Sequence, residues 1–472
     1  MLKGSAIFPQ AEGFVNVGIC VLPPRCVLID NERSVWYIIT GSENFVRGYM
    51  DKALLKEIVL EQDLDRQGAD TGIVRAALKR ILRYTGLPHA VVVSGVRRCG
   101  KSTLLDQVIG NFYKDGVYYL NFEDERLVDF DVKDFNRLYE VFLEVHGERK
   151  AFFFDEVQNV PYWEIFVRRM QAKGCKFFIT GSNAALLSRE LGAKLTGRNI
   201  SVELFPFSFA EYLAFQGCAV ASDSMSLTKE RAAIKRHFDE YLRHGGMPEY
   251  LKYKDATLLK RVYEDILYRD IVARYGIKQV KPLRELGLYF LSNIGGTFSY
   301  NNLKKALGVG SINTIKSYAD FMENSYLMFF VSRFSYSLKQ QFVALKKIYC
   351  IDNGLADAVA FQFSRNKGRF LENLVFLELR RRSQEIYYYK TSNNLEVDFL
   401  VKTGRKELRL IQVADNLDNE KTRQRELNAL IKAMDELKLK KAIILTDDTE
   451  EEIASGEKVI RVRPVYKWLL EE

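Results

Sequence analysis

The chain has 472 residues, of which 47% are hydrophobic and 28% charged, and its formal net charge is +9. This length exceeds what one hydrophobic core supports, so we expect about three domains of an ordinary soluble, globular type. No apolar run is long enough for a bilayer span, and the six cysteines form no C-x-x-C pair, which argues against a membrane protein and against a disulfide or zinc framework. We therefore expect a cytoplasmic protein with no membrane partner.

Residues 1–49 differ from the rest of the chain. They contain strand-like runs at residues 17–22 and 35–40 but no clear helical or hairpin pattern, and helical periodicity begins only after Met50. Our hypothesis is that this segment is a dispensable extension, such as an upstream misassigned start would add. Residues 50–88 are expected to be N-terminal helices, with an apolar face formed by Ile73, Val74, Leu78, Ile81 and Leu82.

A phosphate-binding loop is the strongest motif in the sequence. The pattern Gly-x-x-x-x-Gly-Lys-Ser/Thr is matched by the consecutive residues Gly95, Val96, Arg97, Arg98, Cys99, Gly100, Lys101, Ser102 and Thr103. A β-branched run precedes the loop and a helical pattern follows it, so backbone N–H groups and a helix dipole favour phosphate there. We expect Lys101 to reach the β- and γ-phosphates of ATP and Ser102 to hold Mg²⁺.

Further polar residues follow later apolar strands. We expect Asp155 to hold Mg²⁺ through water and the adjacent Glu156 to orient and deprotonate the attacking water, although a solvated turn is the alternative. Asn183 is expected to contact the γ-phosphate or the water, or else to cap a helix. Arg198 could stabilise transition-state charge in its own subunit or in a neighbour, or form a surface salt bridge.

The alternation of strand and helix patterns over residues 89–205 predicts an α/β fold with a parallel sheet, the P-loop ATPase core. Its strands are expected at residues 90–93, 117–122, 151–156, 176–180 and 200–205. Residues 206–280 are expected to form a helical lid, residues 281–350 a winged-helix-like domain, and residues 351–472 a mixed α/β domain.

These motifs resemble those of the prokaryotic AAA-type ATPases that carry a DUF4143 C-terminal region. The resemblance runs from about residue 50 to the end and rests on residues 95–103, 155–156, 180–183, 196–198, 204–209 and 245–249. It implies ATP and Mg²⁺ as cofactors and supports the roles given above for Lys101, Ser102, Asp155 and Glu156. It also implies that Arg198 is a γ-phosphate or finger arginine. The family is related to archaeal ATPases that join a P-loop core to a winged helix and a nuclease-like fold.

The winged-helix candidate has one helix at residues 299–307, a turn at 308–310 and a second helix at 311–324. The second helix carries Asp320 and Glu323, which would oppose DNA phosphates, whereas the pairs Lys304-Lys305 and Lys346-Lys347 could supply cations. Two roles remain open at this point. The unit packs within the chain, or it contacts DNA weakly and without base specificity.

The last domain looks like the PD-(D/E)xK nuclease arrangement, in which acids hold Mg²⁺ and a lysine activates water. Glu372 lies in a helical run, Asp398 and Gln412 lie in two strands, and these three residues take the metal-facing positions. The motif lysine would fall at Ala414 and is missing, and Lys390 is the candidate replacement. We expect a degenerate nuclease-like fold that holds metal loosely and cleaves little or no DNA.

The function expected from these residues is that of an ATP-hydrolysing switch or remodeller that acts on nucleic acid or a protein partner. It would be a homo-oligomer if Arg198 acts on a neighbour's ATP. An ATP-gated, metal-dependent nuclease and a non-catalytic ATP-binding scaffold are the two alternatives.

A chain that begins at Met50 tests the status of the first segment. We expect it to fold and to bind a fluorescent ATP analogue as tightly as the full chain does, because the whole phosphate-binding loop lies beyond residue 49. Loss of a cooperative thermal transition in the shortened chain would contradict the hypothesis that the segment is dispensable.

Overall fold

The computed structural model describes residues 26–29, 36–39, 49–114, 116–184, 195, 197–218, 228–360, 367–382, 385–404 and 407–471. The chain divides into two compact units, Met1–Tyr49 and Met50–Glu472. The described part of the first unit consists of two antiparallel strands, β1 (Cys26–Ile29) and β2 (Trp36–Ile39). Strand β2 lies where the sequence predicts one, but the expectation that residues 1–49 lack a hairpin pattern is wrong. The predicted strand at residues 17–22 falls outside the described residues.

Five parallel strands form the first sheet of the second unit, as the sequence predicts. They are β3 (Ala90–Gly95), β4 (Tyr118–Asn121), β5 (Ala151–Asp155), β6 (Lys176–Gly181) and β7 (Asn199–Leu204). Their order is β4-β5-β6-β3-β7, so β6 lies between the strand that leads to the phosphate-binding loop and the strand that ends in Asp155. The carboxyl ends of these three strands therefore meet at one edge of the sheet.

Helices cover both faces of this sheet. They are α1 (Lys52–Gln67), α2 (Ala76–Leu82), α3 (Lys101–Phe112), α4 (Phe135–His146) and α5 (Trp163–Ala172), with short 3₁₀ turns at Glu125–Leu127 and Val157–Asn159. Phe152 and Phe154 pack towards α1, α4 and α5, whereas Phe153 between them packs towards α2 and α3. Because both faces are buried, the strand is apolar at consecutive positions. Val74 precedes α2 and is 74% exposed, so it does not belong to the predicted apolar face.

The region from residue 206 to 280 is helical, as expected. It contains α6 (Phe209–Phe215), α7 (Thr228–His244), α8 (Pro248–Tyr253), α9 (Ala256–Asp265) and a π-helical segment, Ile266–Ala273, that continues α9. The first of these helices begins with a capping box between Ser208 and Glu211. The π-helical segment buries Asp270, which is 3% exposed. A buried carboxylate requires a partner, and the phosphate-binding loop supplies it.

Residues 280–350 combine helices with a small antiparallel sheet. The elements are α10 (Val280–Ser292), β8 (Thr297–Phe298), α11 (Tyr300–Ala306), α12 (Ile312–Asn324), β9 (Met328–Ser332), α13 (Leu338–Val343) and β10 (Lys346–Cys350). Strand β10 lies between β8 and β9. The side chain of Ser311 caps α12 by accepting a hydrogen bond from the Asn313 amide, 3.1 Å long.

The C-terminal part has a six-stranded mixed sheet with helices on both faces. Its elements are α14 (Asn353–Val359), α15 (Lys367–Arg382), β11 (Ile386–Lys390), β12 (Glu396–Thr403), β13 (Glu407–Val413), α16 (Glu420–Leu437), β14 (Lys441–Thr446), β15 (Glu451–Ser455), β16 (Lys458–Pro464) and α17 (Val465–Leu469). The strand order is β11-β12-β13-β14-β16-β15, with β13, β14 and β16 parallel. Within the described ranges, no helix is both long enough and apolar enough to cross a membrane.

Candidate functional site

The phosphate-binding loop connects β3 to α3 and depends on two glycines. Gly100 has a φ of 94°, a left-handed conformation that glycine adopts without strain, and α3 begins at the next residue. A Cβ on Gly95 would lie 2.1 Å from the carbonyl oxygen of Leu204, so only glycine fits between β3 and β7. The N-terminus of α3 therefore opens directly onto the loop, where its N–H groups favour an anion.

Lys101 lies almost completely buried at the start of α3, and its ammonium contacts Glu156. The distance from Lys101 Nζ to Glu156 Oε1 is 3.1 Å, and Nζ also donates to the carbonyl oxygens of Gly95 and Val96. Burial by itself lowers the pKa of Lys101, but the Glu156 carboxylate outweighs burial and raises the pKa overall. The predicted phosphate-binding lysine and the predicted catalytic base thus form a charged pair.

The groups around Glu156 determine both its charge and its position. Burial by itself raises the pKa of Glu156, but Lys101 and a hydrogen bond from Gln158 outweigh burial and lower it. The Ser182 amide donates to Glu156 Oε2 over 3.2 Å, and the Glu156 amide donates to the Thr180 hydroxyl over 3.0 Å. The carboxylate is therefore ionised at neutral pH and fixed by groups from the end of β6.

Asp155 is fully buried beside Glu156. It accepts hydrogen bonds from the Thr180 hydroxyl and, over 3.3 Å, from the Tyr119 hydroxyl. Burial raises the pKa of Asp155 and the negative charge of Glu156 adds to the rise, whereas hydrogen bonding from Ser102 opposes it. The structure thus brings Ser102, Asp155 and Glu156 together with Lys101, as the sequence predicts from three separate segments.

A cavity of about 550 Å³ opens over the loop. The lining includes Ile73, Lys101, Ser102, Glu156, Glu249 and Tyr253, so it joins the loop to the segment before α2 and to helix α8. This volume lies within the range of about 300–1,000 Å³ that is typical of small-molecule sites. The site combines apolar and aromatic walls with a charged floor, which suits a base attached to phosphates.

The side chains of two loop arginines bind carboxylates of the lid. Arg97 donates to both oxygens of Asp270, over 3.1 and 2.9 Å, and to Glu123 over 2.6 Å. Burial by itself lowers the pKa of Arg97, but Asp270 and Glu123 outweigh burial and raise it. Arg98 donates to Glu249 of α8 over 2.7 Å. The sequence places both arginines in the nucleotide site but gives no signal for Asp270, which lies far away along the chain.

Two predicted catalytic residues lie at opposite edges of the sheet. Asn183 follows β6 at the carboxyl edge and is 9% exposed. Arg198 precedes β7 at the amino edge, where its carbonyl oxygen accepts from the Ala90 amide. Because β3 runs from Ala90 to Gly95, Arg198 lies about 16 Å from the loop. The prediction that Arg198 contacts ATP in its own subunit is therefore wrong. Contact between Arg198 and a neighbour's ATP stays a prediction.

Arg75 is a residue of this site that sequence reasoning misses. It is 4% exposed and donates to the Cys99 carbonyl oxygen over 2.8 Å, to the Phe205 carbonyl oxygen over 2.7 Å and to Glu211 Oε1 over 3.0 Å. Burial by itself raises the pKa of Glu211, but Arg75 outweighs burial and lowers it. Arg75 thus fixes the loop, the end of β7 and α6 relative to each other, without any local motif that reveals it.

A second charged cluster lies in the C-terminal part, where the sequence predicts a nuclease-like metal site. Lys347 Nζ lies 2.8 Å from Glu372 Oε1, 2.8 Å from Asp398 Oδ1 and 2.9 Å from Glu396 Oε1. Tyr349 donates to Glu372 over 2.7 Å. Burial raises the pKa of Glu372 to about 7, although the Lys347 ammonium opposes this shift. An ammonium therefore joins two of the three predicted metal ligands.

The third predicted ligand and the predicted replacement lysine do not contact this ammonium. Both ends of the Gln412 amide are hydrogen-bonded: Oε1 accepts from the Asp398 amide over 3.1 Å, and Nε2 donates to Glu426 over 2.6 Å. Among the residues that the structure describes, the Lys390 ammonium pairs with Glu396, over 3.5 Å. The prediction that Lys390 replaces the missing motif lysine is wrong. Lys347 from β10 instead lies at the centre of the carboxylate cluster. Among the described residues, no three His, Cys, Asp or Glu side chains are arranged to hold a metal ion.

This fold and the loop geometry define a P-loop ATPase domain of the AAA class, and comparison with known proteins agrees. The AAA domain family matches residues 88–213, a domain of unknown function, DUF8612, matches residues 235–366, and a second one, DUF4143, matches residues 367–465. The AAA and DUF4143 parts of the expected resemblance are confirmed.

The relatives include two uncharacterized proteins. The chain is 36% identical over 445 residues to protein MJ1544 of Methanocaldococcus jannaschii, covering 90% of this chain and 97% of that protein. It is 28% identical over 351 residues to a protein of Haemophilus influenzae, covering 71% of this chain and 85% of that protein. The chain belongs to the family of the Methanocaldococcus protein and joins an AAA domain to a DUF4143 domain.

Two solved structures are similar to parts of the chain. The Walker-type ATPase of Pyrococcus abyssi matches 61% of this chain and 95% of its own, with a TM-score of 0.39 and 15% identity. The Orc1 protein of Aeropyrum pernix, solved in complex with DNA, matches 60% and 91%, with a TM-score of 0.30 and 11% identity.

Replacing Arg75 tests its structural role. Arg75→Met leaves Glu211 buried without its cation, so we expect a loss of about 3–5 kcal/mol in the free energy of unfolding, measured by denaturant titration. The loss should shrink at acidic pH, because protonation of Glu211 removes the charge that Arg75 balances. The control Arg461→Met breaks an exposed pair with Glu452 and should cost about 0–1 kcal/mol. Equal losses in both variants would contradict the assignment.

Proposed function

We propose that this chain binds ATP with Mg²⁺ and hydrolyses it, and that it works as an AAA-type switch or remodeller. The observation that carries the proposal is the buried pair of Lys101 and Glu156 at the carboxyl edge of the sheet, with Asp155 beside it. A positive charge for phosphate, a ligand for Mg²⁺ and a base for water are the three groups that ATP hydrolysis requires. Lys101 and Glu156 line one cavity, and Asp155 lies buried next to Glu156.

In this proposal the triphosphate lies along the N-terminus of α3. Lys101 exchanges its contacts with Gly95, Val96 and Glu156 for phosphate oxygens, which carry more negative charge. Ser102 and Asp155 supply the oxygen atoms that Mg²⁺ prefers, and they already interact with each other. The metal supplies neutralisation of charge on the phosphates.

Glu156 then acts on the attacking water. Once Lys101 turns to phosphate, Glu156 Oε1 is free to accept a proton, while Oε2 stays fixed by the Ser182 amide. Loss of the ammonium partner raises the proton affinity of the carboxylate, which suits a general base. The position of Asn183 just beyond Ser182 supports a role for its side chain near the same water.

In this proposal the switch is the contact between the phosphate-binding loop and the helical lid of residues 206–280. Arg97 and Arg98 belong to the loop but bind Asp270 and Glu249, which lie in the π-helical segment and in α8. A polyphosphate next to these arginines competes with both lid carboxylates for the same positive charge. Binding and release of the γ-phosphate therefore alter the contact between the loop and the lid.

Two substitutions separate binding from hydrolysis. Lys101→Ala should abolish binding of a fluorescent ATP analogue, because it removes the charge on the phosphates. Glu156→Gln should bind the analogue but release phosphate about 10²-fold or more slowly, the usual scale for a catalytic base. The control Glu125→Gln changes an exposed carboxylate and should have no effect on either measurement. Wild-type phosphate release by Glu156→Gln would refute the assigned role.

A homo-oligomer is part of the proposal because Arg198 lies too far from its own loop. Arg198→Ala should lose ATPase activity when pure, since an arginine supplied by a neighbour can contribute about 10³–10⁵-fold. Mixing Arg198→Ala with Lys101→Ala should restore part of the activity, because mixed interfaces contain one intact ATP site. Full activity of the pure Arg198→Ala protein, or a monomer in light scattering, would argue against this arrangement.

Contact with DNA is a further part of the proposal. The net charge of +9 favours contact with phosphates, although the exposed Asp320 of α12 opposes it, and α12 carries no arginine that could read bases. Binding measured by fluorescence anisotropy should then be independent of DNA sequence and fall steeply with salt. Binding that does not change with salt, or no binding at low salt, would favour a packing role for this unit.

A further inference from the structure

Lys347 is an unusual lysine because it is 1% exposed, so the expectation that it offers its charge to DNA is wrong. It also belongs to a different sheet from Glu396 and Asp398. It is the second residue of β10, the central strand of its sheet, and lies opposite Thr297 of β8 and Val331 of β9. Pairing on both edges fixes the backbone of this strand. The Lys347 side chain therefore extends from a fixed backbone position to carboxylates of the C-terminal domain.

The ammonium lies among three carboxylates and donates hydrogen bonds to two of them, Glu372 and Asp398. An ammonium has three N–H donors, and three carboxylate oxygens lie within 2.9 Å of Lys347 Nζ. They come from α15 (Glu372) and from two positions of β12 that share one face, Glu396 and Asp398. Three carboxylates are also a donor set that a divalent metal accepts, although around Lys347 they are not spaced to hold a metal ion, as is true of all acidic side chains in the described ranges.

We propose that Lys347 serves as the resident cation of this cluster, takes the place of a divalent metal between Glu372, Glu396 and Asp398, and thereby excludes metal from it. The proposal does not depend on ATP hydrolysis. It concerns a different part of the chain and would hold for a scaffold that never turns over ATP.

Distance and charge both exclude a metal while the ammonium is present. Mg²⁺ binds oxygen at about 2.0–2.1 Å, so an ion that shared these three oxygens would lie far inside contact distance of Lys347 Nζ. Two cations at that separation repel strongly in a buried site. The neighbouring amide of Gln412 offers no substitute ligand, because both of its ends bind protein groups.

The Lys347 ammonium limits the chemistry of a cavity of about 610 Å³. Glu372, Asp398, Gln412 and Glu426 line this cavity. A metal-dependent nuclease needs a Lewis acid that can polarise phosphate and activate water. An ammonium has no vacant coordination position, so it can do neither. Lys347 instead neutralises part of the buried negative charge and connects β10 with α15 and β12.

The test is metal binding by the full-length protein without nucleotide, measured from the EPR signal of free Mn²⁺. The wild type should bind no Mn²⁺ at this cluster. Lys347→Met keeps most of the apolar stem but removes the charge, so it should gain about one Mn²⁺ per chain as the three carboxylates close around the ion. The gained site should disappear in the double variant Lys347→Met with Asp398→Asn.

Lys390→Met is the matched control. It removes a lysine that also contacts Glu396 but is 28% exposed and lies away from Glu372 and Asp398. We expect no gain of Mn²⁺ binding in this variant. Gain of the same site in both lysine variants would show that general loss of positive charge, not the position of Lys347, controls metal binding, and would overturn the proposal.

Thermal unfolding covers the case in which Lys347→Met folds poorly. Without the ammonium, three carboxylates lie close together without a cation, so the Tm should fall, and Mn²⁺ should restore it. The Tm of the wild type should not respond to Mn²⁺ through this site. A Lys347→Met protein that neither binds Mn²⁺ nor recovers its Tm would overturn the proposal, as would a wild-type Mn²⁺ site that Asp398→Asn removes.

DNA cleavage gives a further readout. With Mg²⁺ or Mn²⁺, we expect the wild type to leave plasmid and linear DNA intact. Robust cleavage that disappears in Asp398→Ala and in Lys347→Met would identify Lys347 as a lysine that activates water beside a bound metal, and would refute its role as the resident cation.

Discussion

Helix α15 is the element on which the arrangement of the second unit depends, because protein surrounds it on nearly every side. Its buried residues are Leu371, Asn373, Leu374, Val375, Phe376, Leu377, Glu378 and Leu379. A helix that is buried on all sides must satisfy several packing partners at once, and these include the small sheet of β8 to β10 and the C-terminal sheet. The free energy of burying this helix is therefore shared among parts of the chain that would otherwise be separate domains.

The same helix connects the carboxylate cluster around Lys347 with the sheet that carries the phosphate-binding loop. Near its start, Glu372 binds Lys347, and about 12 Å further along, Arg380 donates to both oxygens of Glu203 in β7, each over 3.1 Å. Strand β7 lies beside the strand that leads to the phosphate-binding loop. A second link connects the Ser94 hydroxyl, at the end of β3, to the Tyr326 hydroxyl over 2.6 Å. A continuous set of contacts therefore runs from the strands around the phosphate-binding loop to α15.

Three buried charged clusters connect distant segments of the chain. They are centred on Lys101, Arg75 and Lys347, and each cation comes from a different segment than its carboxylates. Removing such charges from water costs several kcal/mol per ion, so an intact buried pair adds little net stability. Breaking one partner has a large cost, however, because the remaining charge stays buried. The clusters thus fix Glu156 against the loop, α6 against the segment before α2, and β10 against α15 and β12.

The sequence alone determined the phosphate-binding loop and the parallel sheet around it. Residues 95–103 are contiguous and their backbone conformation depends on local features, namely the glycines and the helix that follows. The position of Asp155 and Glu156 at the end of an apolar strand was predictable for the same reason, since parallel strands end at one edge. The helix that contains Glu372 and the strands that contain Asp398 and Gln412 were also predictable from periodicity.

Only the tertiary structure decided which charges meet. Arg75 and Glu211, Arg97 and Asp270, and Lys347 and Asp398 are pairs of distant residues with no spacing rule. Lys390 looked suitable because it lies on the strand next to Asp398, yet Lys347 reaches the cluster from another sheet. Arg198 stands close in sequence to the strand beside the loop, but it lies at the wrong edge. Local patterns fix the backbone, whereas packing between distant segments fixes which side chains come into contact.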